Sequence, residues 1–253
     1  MRLRFLGTGT SMGVPVIGCD CPVCTSPDPR NRRTRTSALL RRGAQTILID
    51  AGPDFRAQAL AAGLRGVDAV LLTHSHFDHT AGLDDLRPLC HYGGCVPVYG
   101  SPRTLADIRD RFAYAFSETS AGSTRPSLDL RPVEKPFTVG DTAIHPFDVQ
   151  HGTWTITGYR VGRLGYVTDA SAIPPDSWAL LGDLDVLVLN ALRYEPHPTH
   201  YSVEEAVAIV EALRPRRAYF VHMTHVIEHA GAGARLPSGV EFAYDGLEVS
   251  VEE

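Results

Sequence analysis

The sequence predicts an α+β chain built from two β-sheets packed face to face, with helices on the outside. Three observations predict it. Strand-length apolar runs rich in β-branched residues, bounded by Gly, Pro, Asp or Asn, recur from end to end. Helical stretches are interspersed in both halves without following every strand, which disfavours a strictly alternating parallel sheet. No internal repeat of solenoid length and no convincing linker divides the 253 residues, so residues 1–253 are expected to form one domain.

The elements justify that class in order. Met1–Leu6, Ser37–Arg41 and Thr46–Asp50 read as the first strands, and Phe55–Ala62 as the first helix. Ala69–Thr73 and Val96–Tyr99 follow as strands. Pro102–Phe116 is then a helix with proline in its first turn, where the missing N–H costs no bond. Ser117–Pro126 is small and polar and reads as a mobile loop, a candidate lid behind Phe112, Tyr114 and Phe116. Thr142–Val149, Trp154–Val161, Gly165–Thr168 and Val186–Asn190 are the next strands. The clearest helix is Val203–Leu213. Ser202 and Glu205 form a capping box, and Val203, Ala206, Val207, Val210 and Leu213 share a face. Arg217–His222 and Leu247–Val251 close the series.

Composition bounds the partners. Hydrophobic residues make up 43% and charged residues 21%, an ordinary globular balance that can bury a core without staples. The 24 basic against 29 acidic residues leave a net charge of −5, which gives neither nucleic acid nor an anionic membrane a basic field to grip. No apolar run approaches a membrane span. Met1-Arg2-Leu3-Arg4-Phe5-Leu6-Gly7 also lacks the apolar stretch of a signal peptide, so a cytoplasmic protein is expected. The cysteines number five, and three fall in Cys19-Asp20-Cys21-Pro22-Val23-Cys24. Such crowding suits thiolates aimed at a metal in a reducing compartment, not a disulfide framework. Cys90 and Cys95 read as ordinary free thiols.

The decisive passage is Asp68-Ala-Val-Leu-Leu-Thr-His74-Ser-His76-Phe-Asp78-His79. A buried strand runs into four potential ligands within six residues. Imidazoles two apart on an extended segment point the same way, so His74 and His76 can grip one ion. Asp78 and His79, at the turn that follows, can reach a second. A merely solvated histidine turn is the poorer reading of such density.

His-x-His-x-Asp-His after a strand, with later single His and Asp ligands, resembles the metallo-β-lactamase superfamily. The resemblance implies its αββα sandwich and a dinuclear site completed by a His, a bridging Asp and a last His from later strand ends. Val149-Gln-His151-Gly, Tyr166-Val-Thr-Asp169 and Tyr219-Phe-Val-His222 stand in that order. The implied assignment is His74, His76 and His151 on one metal and Asp78, His79 and His222 on the other, with Asp169 bridging. Taken singly, each of the later three reads as an ordinary buried polar residue.

Cys19-x-Cys21-x-x-Cys24 leaves one position of a tetrahedral zinc open, and histidine commonly closes such a site. His225 is the candidate; its plainer reading is an exposed loop histidine. Gly7-Thr-Gly-Thr, the Gly18–Cys24 segment, His222-Met-Thr-His225 and the ending Leu236-Pro-Ser-Gly-Val-Glu-Phe-Ala-Tyr-Asp245-Gly-Leu-Glu together resemble the cyclic phosphodiesterases of bacterial phosphonate breakdown. Those enzymes open phosphoribosyl 1,2-cyclic phosphate. The resemblance implies an N-terminal zinc knuckle holding structural Zn2+, two divalent catalytic ions (Mn2+ or Zn2+), a small phosphorylated substrate and a homodimer.

Two such ions supply a hydroxide at neutral pH and offset charge growing on a phosphoryl oxygen. Asp78 and His200 are the expected catalytic residues. His200, in Glu195-Pro-His197-Pro-Thr-His200-Tyr-Ser202, lies just before a helix N-terminus. Its expected role is general acid or phosphate orienter, and its plainer reading is a loop histidine bonding a carbonyl. His197, between prolines, reads as structural, as do His91 and His145. Arg30-Asn-Arg32-Arg33-Thr-Arg35 reads first as a solvated loop and second as a contact for a terminal phosphate. Asp84, Asp85 and Arg87 follow the cluster. A carboxylate is expected behind a ligating histidine, but the sequence does not choose which.

Two other functions compete. A weakly or non-hydrolytic metal-binding protein of the pyrroloquinoline-quinone-biosynthesis type shares the knuckle but has a degraded catalytic set. A hydrolase of linear phosphodiesters or tRNA ends requires a basic surface and an RNA-binding arm. The complete ligand set speaks against the first, and the charge of −5 against the second.

Overall fold

The computed structural model describes residues 1–117 and 124–252. The first half supplies strands β1 (Arg2–Gly7), β2 (Ser37–Arg42), β3 (Gln45–Ile49), β4 (Ala69–Leu71), β5 (Val96–Gly100) and β6 (Leu128–Pro132). Then come β7 (Phe137–Val139), β8 (Thr142–His151), β9 (Trp154–Val161), β10 (Leu164–Tyr166), β11 (Val186–Asn190), β12 (Arg217–Val221), β13 (Val240–Phe242) and β14 (Glu248–Ser250). The helices are α1 (Phe55–Ala61), α2 (Phe77–Thr80), α3 (Arg87–Gly93), α4 (Pro102–Arg111), α5 (Ala113–Phe116), α6 (Pro175–Trp178), α7 (Val203–Leu213) and α8 (His229–Gly233). None of the described helices is long and apolar enough to cross a membrane.

Among the described residues the strands form two seven-stranded sheets, ordered β14-β1-β2-β3-β4-β5-β6 and β13-β12-β11-β10-β9-β8-β7. Side-chain alternation decides how they stack. In β3, Ile47 and Ile49 face the core between the sheets while Leu48 faces the helices. In β11, Val186 and Val188 face that same core while Leu187 and Leu189 meet α7. Strands buried on both faces read as unbroken apolar runs, which is why they are so plain in the sequence. α1, α4 and α5 cover the first sheet through Phe55, Leu105, Ile108 and Ala115. α7 and α8 cover the second through Ala206, Val210 and Ala232. This is the αββα sandwich.

Three strands escape the sequence reading: β6, β7 and β13. β7 and β13 are three residues each, and β6 (LDLRP) carries Asp, Arg and Pro. All three lie at sheet edges, where charge and proline blunt further pairing. The predicted helix Pro102–Phe116 is interrupted at Phe112 (φ −108°, ψ 36°), which turns its ring into the core. The candidate lid Ser117–Pro126 falls mostly on 118–123, outside the described residues.

Both sheets have parallel centres: β3, β4, β5 and β6 run together, as do β10, β11, β12 and β13. Their carboxyl ends therefore emerge on one edge of the sandwich. Tyr159 Oη donates to Leu72 O at 2.7 Å and Thr157 N to Thr73 O at 2.9 Å, tying the two sheets together there.

Candidate metal centre

Strand ends place the polar residues on that edge. β3 leads to Asp50, β4 leads through Leu72 and Thr73 to His74, β8 ends at His151, β10 leads to Asp169 and β12 to His222. Asp50, Asp169 and His222 have φ of 59°, 57° and 59°, left-handed values that non-glycine residues seldom adopt. Backbone of this kind persists where the surroundings hold it, and it cluster-marks functional edges. Here it turns each side chain out of its strand and towards the gap between the sheets. Asp78 and His79, expected at a turn, lie in the first turn of α2 instead. Gly52 packs so closely under the Asp78 carbonyl that a Cβ at position 52 has no room.

Two donor sets meet at this edge. His74, His76 and His151 offer ring nitrogens within 4.8 Å of one another, as do Asp78, His79, Asp169 and His222 with theirs. Asp169 joins the sets: its carboxylate lies 3.3 Å from His79 Nε2, 3.2 Å from His222 Nε2 and 3.9 Å from His74 Nε2. The tautomers are fixed from behind. His79 Nδ1 donates to Asp50 Oδ2 at 2.8 Å and His151 Nδ1 to Thr199 O at 2.9 Å. His74 Nδ1 is 3.0 Å from Thr73 Oγ1, which itself donates to Asp50. Each Nε2 is thereby left facing inward.

The set fits metal ions. His79 Nε2 and both nitrogens of His222 are buried without a hydrogen bond, although carboxylates stand close by. His74 Nε2 lies 2.9 Å from His76 Nδ1, so two ring nitrogens share one side of the cluster. Burial opposes protonation of His79, yet Asp169, Asp78 and Asp50 outweigh it and hold its pKa well above the ordinary value. Burial also opposes ionisation of Asp78 and Asp169, and the imidazoles around them hold both well below the carboxylate range. His74 is pushed well down by burial, then by His79. A pocket arranged this way wants positive charge at its centre, and convergent imidazole and carboxylate donors suit divalent cations.

His200 Nε2 donates to Asp169 Oδ2 at 3.1 Å, and His200 shares a cluster with His151 and Asp169. Burial lowers its pKa to about 4 against the pull of Asp169. His197 Nδ1 lies behind it, 3.3 Å from His200 Nδ1, with Thr199 Oγ1 contacting both. His145 lies on β8 opposite Arg160, six residues before His151.

A second cluster brings Cys19, Cys21 and Cys24 to His225, with Sγ to Nδ1 distances of 3.3, 3.3 and 3.5 Å. The Cys24 N–H holds the Cys21 thiol down to about 6, while burial pushes Cys24 up to about 11. The Cys21 thiolate forms readily while the Cys24 thiol needs a cation to ionise, as at a metal site that releases protons on binding. The four donors could form a zinc knuckle. His225 stands three residues beyond His222, so one loop serves both clusters.

Three of the four arginines in the run are engaged internally, and Arg32 is exposed. Arg30 pairs with Asp28 and Arg35 with Asp54, while Arg33, 1% exposed, donates to the carbonyls of Thr224 and Ile227. Arg33 therefore contradicts the solvated-loop reading: the carbonyls behind the knuckle need a donor. Asp84 bonds Arg87 and Tyr114, not a ligand. The carboxylate behind a histidine is Asp50, which the sequence does not single out: its role follows from the pairing of β3 beside β4. Trp154, also unremarked in the sequence, packs on His76 with ring centroids 5.0 Å apart. Cys90 Sγ donates to Ser127 O and Cys95 is exposed; both are free.

Comparison with known proteins agrees with the fold. The family model described as "Beta-lactamase superfamily domain" matches residues 45–223. A crystal structure described as a new diphosphatase from the PhnP family superposes with a TM-score of 0.92 at 41% identity, covering 98% of this chain and 97% of that one. The octanoyltransferase of Porphyromonas gingivalis is 41% identical over 258 residues, 100% of this chain but 52% of that protein. The chain thus spans about half the length of that curated relative. Coenzyme PQQ synthesis protein B of Methylorubrum populi is 36% identical over 228 residues, 77% of this chain and 74% of its own length. With its αββα sandwich, its histidine-rich edge and its three-cysteine loop, the chain belongs to the metallo-β-lactamase superfamily and is of the PhnP type within it.

Proposed function

We propose that this protein is a metal-dependent phosphodiesterase that opens a cyclic phosphate on a small sugar or nucleotide. The observation that carries the reading is the junction of two three-ligand sets at Asp169 on one sandwich edge. His74, His76 and His151 hold one divalent ion, Asp78, His79 and His222 the other, and Asp169 bridges. Two ions so held supply a hydroxide at neutral pH and offset phosphoryl charge, the need of an anionic diester. His200, 3.1 Å from Asp169 and largely buried, is the residue proposed to orient the phosphate through an imidazole N–H. To act as general acid it needs the negative charge of bound substrate to raise the pKa that burial lowers to about 4. Cys19, Cys21, Cys24 and His225 hold a structural Zn2+, and the catalytic ions are Mn2+ or Zn2+. The family resemblance implies a homodimer.

A second reading has one observation in its favour: the 41%-identical neighbour is described as a diphosphatase. The same centre suits a P–O–P bond, whose cleavage also needs an activated water and charge neutralisation. Phosphorus NMR on protein loaded with Mn2+ or Zn2+ decides between them. The substrates are 5-phosphoribosyl 1,2-cyclic phosphate, a 2′,3′-cyclic nucleotide, a linear diester and a nucleoside diphosphate. Selective opening of a cyclic phosphate is the expected result. Selective cleavage of the diphosphate replaces the reading with the second, and no turnover by fully metal-loaded protein rejects both.

A further inference from the structure

Arg103 occupies an unusual place. It lies in the first turn of α4, directly after Pro102, and is exposed. A helix N-terminus carries partial positive charge and favours carboxylates, yet this turn has no acidic residue. Asp107, one turn on and the natural partner for a cation at position 103, is instead taken by Ser75 Oγ at 2.5 Å. Among the described residues no hydrogen bond or ion pair engages the Arg103 guanidinium. What holds it is the face of Trp154, with Cζ 4.2 Å from the ring centroid. Trp154 in turn packs on His76. A charge that breaks a local rule without an internal partner, one ring away from the donor cluster, is placed for something that arrives from outside.

We infer that Arg103, backed by Trp154, is the specificity-determining contact for a second phosphoryl group on the substrate, one that is not cleaved. The inference rests on the phosphoester reading above. It names the substrate class: a phosphodiester or diphosphate that also carries a terminal phosphate. Arginine suits the task because its planar fork meets phosphate oxygens two at a time and its charge is permanent at all working pH. Stacking on the indole fixes the plane of that fork and reduces the rotamer freedom lost on binding. Of the arginines the sequence offers for the role, Arg30, Arg33 and Arg35 already have internal partners, while Arg32 is exposed and, among the described residues, stacks on no ring beside the donor cluster. Arg103 is the guanidinium that the Trp154 ring sets beside the His76 donor.

The test compares 5-phosphoribosyl 1,2-cyclic phosphate with ribosyl 1,2-cyclic phosphate, which lacks only the terminal phosphate, on the metal-loaded enzyme. Arg103→Gln is expected to raise KM for the first roughly 10-fold or more, with kcat little changed and the second substrate unaffected. Arg103→Lys, which keeps charge but not the fork, should fall between. Equal effects on both substrates, or none on either, overturn the inference. A binding measurement separates this from failure of the proposed chemistry. Ribose 5-phosphate, which has no scissile diester, should change the fluorescence of Trp154 in Trp178→Phe protein. Arg103→Gln should remove that change even if neither cyclic phosphate is turned over. An undiminished response in Arg103→Gln rejects the role of Arg103 whatever the reaction proves to be.

Discussion

Asp50 and His79 face each other across 2.8 Å, Oδ2 to Nδ1, with both side chains wholly buried. The same carboxylate receives Thr73 N and Thr73 Oγ1, each at 2.8 Å, and Thr73 Oγ1 contacts His74. One acid thus sets the tautomer of a donor in each set. Carboxylates behind metal-binding histidines typically carry 10- to 100-fold in affinity or activity. Asp50→Ala is expected to weaken metal binding by about that factor in a chelator-competition titration. It should also cost about 1–3 kcal/mol of stability, because it strands the Thr73 N–H. Asp50→Asn keeps an acceptor and should recover part of both. Metal affinity unchanged in Asp50→Ala would remove Asp50 from this role.

Asp169 stands where the two sets join, its carboxylate close to His79, His222 and His74. Its replacement should abolish turnover of any phosphate ester and lower the metal content, while the cysteine cluster keeps its zinc. Asp169→Asn is the better variant, because asparagine tolerates the φ of 57° that alanine does not. Elemental analysis beside a circular dichroism spectrum reads both parts. Full activity in well-folded Asp169→Asn protein would refute the bridging assignment.

The residues that the sequence discloses are those whose chemistry is dense or whose burial is two-sided. The His74–His79 run and the Cys19–Cys24 run announce themselves by spacing alone. β3, β4, β11 and β12 are apolar on both faces, so no register need be known to see them. Helix α7 runs from Val203 to Leu213 as its capping box and apolar stripe dictate. His151, Asp169 and His222 are isolated polar residues, and only the family pattern picks them out before folding shows their convergence. Asp50, Trp154 and Arg103 depend on which strands and helices become neighbours, and that is tertiary information. Arg33 is instructive in the opposite sense. A basic run suggests solvent, but its guanidinium is buried because the chain from Thr224 to Ile227 exposes carbonyls that need a donor.

The two clusters share the loop from His222 to His225, and Arg33 braces it. Cys24→Ser should therefore do more than lose a zinc. Metal content is expected to fall from about three ions per chain to about two, and the melting temperature should fall with it. Arg33→Ala, which leaves the Thr224 and Ile227 carbonyls unpaired in a buried setting, should cost about 3–5 kcal/mol in urea unfolding. An unaltered metal count in Cys24→Ser would show that the thiolates hold no zinc. An Arg33→Ala protein as stable as the parent would show that the brace carries no energy.

Asp245 offers a pH test away from both clusters. Its carboxylate accepts Thr8 Oγ1 at 2.8 Å and both Thr34 N and Thr34 Oγ1 at 2.7 Å, so it fastens the Gly7–Thr10 loop to the strand leading into β2. Burial pushes its pKa up to about 6 from 3.8, more than those three bonds pull it down. A raised acid binds its proton more tightly in the folded state than in the unfolded chain. Between pH 4 and 6 the folded protein holds that proton and the unfolded chain has lost it, so this group's contribution to stability falls as pH rises. The slope cannot exceed about 1.4 kcal/mol per pH unit for one proton. Below pH 4 both states are protonated and the dependence vanishes; above pH 6 the cost is complete. Other carboxylates drive the opposite trend, so the quantity to measure is the stability difference between the parent and Asp245→Asn by urea unfolding. That difference should move in favour of Asp245→Asn on going from pH 4 to pH 6.5. A constant offset across the interval would mean that Asp245 ionises in the folded protein as easily as in the unfolded chain.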